Sequence, residues 1–330
     1  MSVMVTGGTG FVGLNLVEAL LSRGEHVVIV ALDSIPAPAA RSFAKLPGRL
    51  THVTADITDR TALAGLMRTH AVDRLFPFAA ITSGPAREAE VPERILEVNL
   101  LGMVGQLRAA RDAGVRRVIA PSSAAVYGES FYDHASLNET TTPPIPTGLY
   151  GVTKYAVERS ALRLGTLWNL DVIAARIGAV FGPWERDTGL RDMIGPHWHL
   201  AAHALAGKPA VLPSEIPAYT WVYSRDIAAG LLHLLDMTNP PHRVFNLCSG
   251  MPWGPVITKW ADTLASTYPG FTWTQSANPA DVTIRFSETR PRGTMNVDRV
   301  ATTGWTPKFD PEHAYADYAA WLRENPEAVG

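Results

Sequence analysis

Short runs of β-branched residues alternate, through the first half of the chain, with longer stretches in which apolar residues recur at helical spacing. Val3 to Thr6, Val27 to Leu32 and Leu50 to Ala55 read as the first three strands. Further strands are expected at Arg74 to Phe78, Arg117 to Pro121, Asp171 to Ile177 and Val244 to Leu247. Leu14, Val17, Leu20 and Leu21 share one face of a helix predicted from Phe11 to Arg23 and ended by Gly24. Two more helices are expected near Glu93 to Ala113 and Gly151 to Leu167. Strand, helix and strand in alternation imply an α/β fold, with a doubly wound parallel sheet covered on both faces. From about Phe181 onward prolines and tryptophans break the alternation, and Pro252 to Gly330 reads as a smaller mixed lobe. The expected division is residues 1–180, with 215–250 returning to them, against 181–214 and 251–330.

A length of 330 residues exceeds what one core usually supports, so two lobes with a cleft between them are the natural expectation. Apolar residues make up 46% of the chain and charged residues 18%, which suits a large buried core and excludes disorder. The formal charge of −2 supplies no field to draw in nucleic acid or an anionic membrane, so small ligands are the expected partners. The single cysteine, Cys248, excludes an intrachain disulfide and fits a reducing compartment. The opening Met1-Ser2-Val3-Met4-Val5 has no signal-peptide pattern, and no apolar run approaches the roughly 20 residues a bilayer requires. A cytoplasmic protein is therefore expected.

The turn after the first strand changes this picture. Thr6-Gly7-Gly8-Thr9-Gly10-Phe11-Val12-Gly13 joins a strand to a helix with glycines at intervals of three, the pattern of a Rossmann dinucleotide site. A side chain at those glycines would hold the backbone away from a pyrophosphate, which is expected on the helix N-terminus at Gly10, Phe11, Val12 and Gly13. Twenty residues after Gly13 stands Asp33, placed to accept hydrogen bonds from ribose hydroxyls and to repel a 2′-phosphate. NAD is the expected cofactor. Asp56 and Ile57 follow the third strand, and the aspartate either reaches the adenine ring or caps the next helix.

Three further features recur together: Ser122-Ser123-Ala124-Ala125-Val126-Tyr127-Gly128 after a strand, Tyr150-Gly151-Val152-Thr153-Lys154, and Asn99 in Val98-Asn99-Leu100. Four residues apart on a helix, Tyr150 and Lys154 share a face, and an ammonium beside a phenol favours its ionised form. Tyr150 is then a candidate general base on a hydroxyl whose carbon loses hydride, with Ser123 holding the same oxygen. With the glycine turn, Asp33, Gly182-Pro183, Val222-Tyr223-Ser224-Arg225-Asp226 and Gly304-Trp305-Thr306-Pro307, these residues resemble the extended short-chain dehydrogenase/reductase family, which contains nucleotide-sugar epimerases and dehydratases. The resemblance implies that Asn99, Ala79 and Ala80 lie along the cofactor, that Lys154 also holds nicotinamide-ribose hydroxyls, and that the chain pairs as a homodimer through its two long helices.

It also narrows the reaction. The 4,6-dehydratases of that family place an acidic pair after the catalytic serine or threonine, whereas Ala124-Ala125 stand here. The loop looks more like that of UDP-sugar 4-epimerases, so the implied activity is epimerase-type removal and return of hydride on a sugar or nucleotide sugar. Pro77-Phe78-Ala79-Ala80 replaces the family's frequent His-x-Ala-Ala, and Ala179 stands where many members have a diphosphate-holding asparagine. Arg176-Ile177-Gly178 resembles uronate dehydrogenases, in which comparison Arg191 would clamp a substrate carboxylate. The rivals are thus a dehydrogenase of a free sugar or sugar acid, and a non-catalytic NAD-binding regulator. Ser123, Ala124, Tyr150, Arg191 and Tyr223 are the expected substrate contacts. His197, His199 and His203 do not suit a metal, because His197 leaves the face shared by the other two; one of them, with Trp221 or Tyr223, is expected at the substrate pocket.

Overall fold

The computed structural model describes residues 1–217, 219–286 and 290–329, with the backbone alone at 255. Seven strands form one sheet: β1 (Ser2–Thr6), β2 (His26–Ala31), β3 (Arg49–Thr54), β4 (Val72–Pro77), β5 (Arg117–Ser123), β6 (Asp171–Ile177) and β7 (Val244–Leu247). All pair in parallel, in the spatial order β7-β6-β5-β4-β1-β2-β3. This is the Rossmann-like α/β architecture expected from the alternating pattern.

Alternation along each strand explains why both faces are covered. Val3 and Val5 of β1, Val27 and Ile29 of β2, and Ile119 of β5 enter one buried cluster. Their neighbours Met4, Val28, Val30, Val118 and Ala120 enter another on the opposite face. The helices Phe11–Ser22 and Ser224–Asp236 pack together over the first cluster. Arg60–Thr69, Gly102–Ala113 and Leu149–Trp168 supply Leu63, Met67, Leu107, Val157 and Ala161 to the second.

The helix expected from Glu93 to Ala113 is not uniform. An α-helical turn, Pro92–Leu96, passes into a π-helical turn, Glu97–Leu101, before Gly102–Ala113 resumes α-helical geometry. Asn99 lies within the π turn. Beyond β6 the chain forms short parallel pairs, Ala179–Phe181 with Trp221–Tyr223 and Ala210–Pro213 with Trp273–Ser276. Helices Pro196–Leu205, Ile257–Thr267 and Pro311–Glu324 surround an aromatic cluster centred on Phe181, Trp253, Trp260 and Tyr315. No helix among the described residues is long and apolar enough to cross a membrane.

A buried ion pair and a buried histidine sit within this framework. Glu158, fully buried on the helix Leu149–Trp168, receives Arg176 of β6 through Nε and Nη2, each at 2.8 Å. Ser122 Oγ of β5 donates to the same carboxylate at 2.8 Å, and Arg176 Nη1 donates to Tyr127 Oη at 3.0 Å. Burial alone would lower the guanidinium's pKa, but Glu158 raises it above its usual value, so the guanidinium stays charged. His197 stacks on Phe181 with ring centroids 4.1 Å apart, and its Nε2 meets Tyr315 Oη at 3.1 Å. Complete burial pushes its pKa down to about 3.

Replacing Glu158 by Leu leaves Arg176 as a buried unpaired cation and should cost about 3–5 kcal/mol in urea unfolding; adding Arg176→Met should recover much of that loss. A single variant as stable as the wild type would disprove the coupling. His197 is neutral in the folded chain, while the unfolded chain takes up a proton below about 6.5. Stability is therefore undiminished above that value and declines as pH falls towards 3. Between pH 7 and pH 5 this group should cost about 2 kcal/mol, and His197→Phe should remove that part of the slope. Denaturant titrations at the two pH values would check this.

Candidate active site

A cleft of about 870 Å³ opens at the C-terminal ends of the strands, where the strand order reverses between β1 and β4. The glycine turn forms its floor. Gly7 has φ +64°, and a Cβ there would come within 2.7 Å of Ala79 Cα beyond β4. A Cβ at Gly13 would lie 2.5 Å from Gly7 O, so the helix packs on the turn only with glycine at that position. Gly10 caps the helix Phe11–Ser22 without a side-chain hydrogen bond, leaving the first-turn amides for a ligand. Asp33 beyond β2, Asp56 and Ile57 beyond β3, and Ala79 and Ala80 beyond β4 line the same cleft. This cradle fits a dinucleotide.

One cofactor expectation, at Asn99, needs correction, and of the two readings of Asp56 the helix cap falls. Asn99 does not line the cleft. Its Oδ1 accepts from Ile81 N at 2.8 Å, and its Nδ2 donates to Ile81 O at 2.9 Å and Thr153 Oγ1 at 3.2 Å. Its amide is consumed in joining the exit of β4 to the helix that carries Tyr150. Asp56 does line the cleft but caps no helix, because the helix Arg60–Thr69 is capped by Asp59. Asp56 Oδ1 instead accepts from Thr58 N and Thr58 Oγ1, each at 2.8 Å, and its Oδ2 accepts from Arg94 Nη2 at 3.2 Å. The Thr58 N–H, ahead of the other partners, holds this carboxyl below its ordinary range.

Ser123, Tyr150 and Lys154 meet on one wall of the cleft. Ser123 ends β5, and its Oγ accepts from Ala125 N at 3.1 Å. Tyr150 occupies the first turn of the helix Leu149–Trp168, and Lys154 stands one turn further on with Nζ 5.5 Å from the phenol ring centroid. Pro121 O accepts from Lys154 Nζ at 3.2 Å, which anchors an otherwise buried ammonium. Between them, Gly151 lets the helix approach the serine loop, since a Cβ there would sit 2.7 Å from Ala125 O.

The N-terminus of this helix has no side-chain cap of its own. Glu88, from the segment after β4, fills the role: its Oε1 accepts from Tyr150 N at 3.1 Å and from Ser83 Oγ at 3.1 Å. Sixty-two positions separate Glu88 from Tyr150, and no local pattern signals the contact.

The other end of the cleft is aromatic and basic. Arg290 lies 3.6 Å from the Tyr132 ring centroid, and Arg292 lies 5.1 Å from Phe131 and 5.0 Å from Tyr219. Tyr219 stacks on Trp221 at 5.1 Å. These arginines and Arg186 are absent from the sequence-based site; the only local signal is the basic Arg290-Pro291-Arg292 triplet. Trp221 lines the cleft, as expected, but Tyr223 does not. Tyr223 is fully buried against Phe181 and Phe309 and donates to Asp317 Oδ2 at 2.5 Å, and burial followed by that carboxylate drives its pKa well up. None of the three histidines reaches the cleft either: His197 is in the aromatic core, and His203 Nδ1 is 2.7 Å from Pro209 O. Ala124 and Arg191 do line it. Arg191, however, is already matched, with Nη1 2.9 Å from the buried Glu185 Oε1 and its guanidinium 5.2 Å from the Phe11 ring centroid, so a free carboxylate clamp is not what it presents.

Comparisons with known proteins agree with this geometry. UDP-glucuronate 4-epimerase 1 of Arabidopsis thaliana is 29% identical over 276 residues, covering 76% of this chain and 62% of that protein. UDP-glucose 4-epimerase of Yersinia enterocolitica is 33% identical over 167 residues, covering 48% of this chain and 47% of that protein. The chain thus matches less than two thirds of the length of either relative. Among solved structures, the UDP-glucose 4-epimerase of Thermotoga maritima superposes with a TM-score of 0.77 at 21% identity, covering 99% of this chain and 100% of that one. The UDP-N-acetylglucosamine 4-epimerase of Methanobrevibacter ruminantium M1 gives 0.78 at 22% identity, with 98% of both chains covered. The family pattern described as NAD dependent epimerase/dehydratase matches residues 3–248, and the chain belongs to that family.

Proposed function

We propose that this protein is an NAD-dependent, epimerase-type enzyme acting on a sugar nucleotide. The observation that carries the reading is the convergence of Ser123, Tyr150 and Lys154 on the cleft that also holds the glycine turn and Asp33. NAD, when bound there, supplies a carrier for hydride. Tyr150 takes the proton from the substrate hydroxyl onto its phenolic oxygen and returns it in the second half of the cycle. Ser123 Oγ holds the reacting oxygen against that phenol. Lys154 keeps a positive charge beside the ring and is available to the nicotinamide-ribose hydroxyls.

Arg290 and Arg292 suit the diphosphate of the nucleotide, and Tyr219 with Trp221 offers a flat wall for its base or sugar. In this reading residues 1–180 and 215–250 form the NAD-binding domain, and 181–214 with 251–330 form the substrate lobe. A second copy of the chain is the proposed partner. Leu96 and Leu101 on the segment Pro92 to Ala113, and Val152 and Leu167 on the helix Leu149–Trp168, are 38%, 52%, 42% and 58% exposed, an apolar surface of the kind a homodimer covers. A cytoplasmic setting suits the lone Cys248 thiol, which burial pushes up to about 12.

Incubated with UDP-glucose, UDP-glucuronate and related UDP-sugars, the protein should convert one of them to its C4 epimer without net formation of NADH. Tyr150→Phe should lower turnover about 10²- to 10⁴-fold while leaving NAD affinity unchanged. NADH appearing in proportion to substrate consumed would replace this reading by a dehydrogenase, and full activity of the phenylalanine variant would refute the assigned base.

A further inference from the structure

The segment between β6 and the helix Pro196–Leu205 crosses the cleft like a strap. It leaves the aromatic core at Trp184, a non-glycine residue at φ +68° held by edge contacts with Phe43 and Trp321 and by its Nε1 hydrogen bond to Glu18 at 3.0 Å. On the far side it joins the exit of β4, where Thr82 N donates to Leu190 O at 2.9 Å and Asp192 N to Thr82 O at 3.1 Å. Arg87 grips both oxygens of Asp192 at 2.7–2.9 Å. The strap is thus fastened at both ends, and between the fastenings it carries Arg186 and Arg191 to the glycine turn.

Arg186 donates from Nη1 and Nη2 to Thr9 O, at 3.2 and 2.9 Å. Thr9 immediately precedes Gly10, the uncapped start of the helix Phe11–Ser22, and the Arg191 guanidinium lies over Phe11 just after it. The two arginines differ in their neutralisation. Arg191 has the buried Glu185 as a direct partner, whereas Arg186 donates to a neutral carbonyl, with Asp33 as the opposing charge in its surroundings. Burial moves the Arg186 pKa down, as it does for a cation that has lost water without gaining a contact anion. An under-neutralised, partly buried guanidinium facing free helix amides is a site for a doubly charged phosphate group.

We infer that Arg186 is a cofactor-retaining residue, closing over the pyrophosphate of the dinucleotide beside the helix N-terminus. The inference rests on the NAD reading above but not on the sugar reaction. It gives the strap a physical purpose: dissociation of the cofactor must break the contact with Arg186, so the dinucleotide is released more slowly. Thr9 O pre-positions the guanidinium, which reduces the ordering cost when the anion arrives.

The test is binding to cofactor-stripped full-length protein, followed by calorimetry, with NAD, ADP-ribose and adenosine as probes. Arg186→Gln should weaken NAD and ADP-ribose by roughly ten- to a hundred-fold, the loss of one charge-assisted contact, and leave adenosine unchanged. NAD release, measured by stopped flow, should accelerate by a similar factor, and Arg186→Lys should retain most of the wild-type affinity. The unfolding temperature of the cofactor-free variants reports that they fold. The inference is overturned if Arg186→Gln holds NAD as the wild type does, if adenosine weakens as much as NAD, or if lysine is no better than glutamine. A wild type that binds none of the probes overturns the cofactor reading with it, whereas NADH accumulating with turnover overturns only the epimerase reading.

Discussion

A carboxylate sealed from water sets the geometry on which the site depends. Glu158 lies one turn beyond Lys154 on the same helix, and its charge is tolerable only while Arg176 of β6 and Ser122 of β5 remain in contact with it. Ser122 is the residue before Ser123, so one buried ion pair fixes the serine loop and the tyrosine helix relative to each other. Gly151 supplies the complementary allowance by letting the helix close on Ala125 O. Replaced by apolar residues of matching shape, such a pair need not lose stability, so its physical contribution is to specify one arrangement among several that would pack equally well.

The same distinction between bulk and local charge applies to the cleft. A chain of net charge −2 attracts no polyanion, yet Lys154, Arg186, Arg191, Arg290 and Arg292 all line one cavity beside an uncapped helix N-terminus. Low-dielectric walls make these charges act at short range, on groups already inside, and not as a steering field. That arrangement suits small phosphate-bearing ligands held within the cleft better than a long polyanion.

The sheet was legible because each strand is a short β-branched run between turn residues, and all seven appear within two residues of where the pattern puts them. The glycine turn and the Tyr150–Lys154 pair were legible because their spacing is local, and Asp33 and Ser123 because each stands at or just past the end of a strand of the sheet. What failed shares the opposite property. Tyr223 and His197 are aromatic residues whose sequence neighbourhood is compatible with either a pocket wall or a core, and only the packing around Phe181 turns them inward. The π turn at Asn99 leaves the helical periodicity of its segment nearly unchanged, so the shift that directs the amide towards Ile81 has no sequence signature. Glu88, Arg186, Arg290 and Arg292 reach the site across long sequence separations, through segments without periodicity.

The distribution of carboxylates around the cleft bears on the reaction. Glu88 is engaged by Ser83 Oγ and Tyr150 N, Asp56 by Thr58 and Arg94, and Glu129 lies 3.7 Å from Arg290. Each acid is thereby already committed to a neighbouring donor. Next to Ser123, where a second acid and base would be needed to expel water from a sugar, stand Ala124 and Ala125. A reaction that removes and returns hydride at a single carbinol needs only one proton-transferring group. Among the described residues around Ser123, Tyr150 is the side chain whose position and chemistry meet that need, which is the chemical ground on which the proposed epimerase-type reading is preferred to a dehydration.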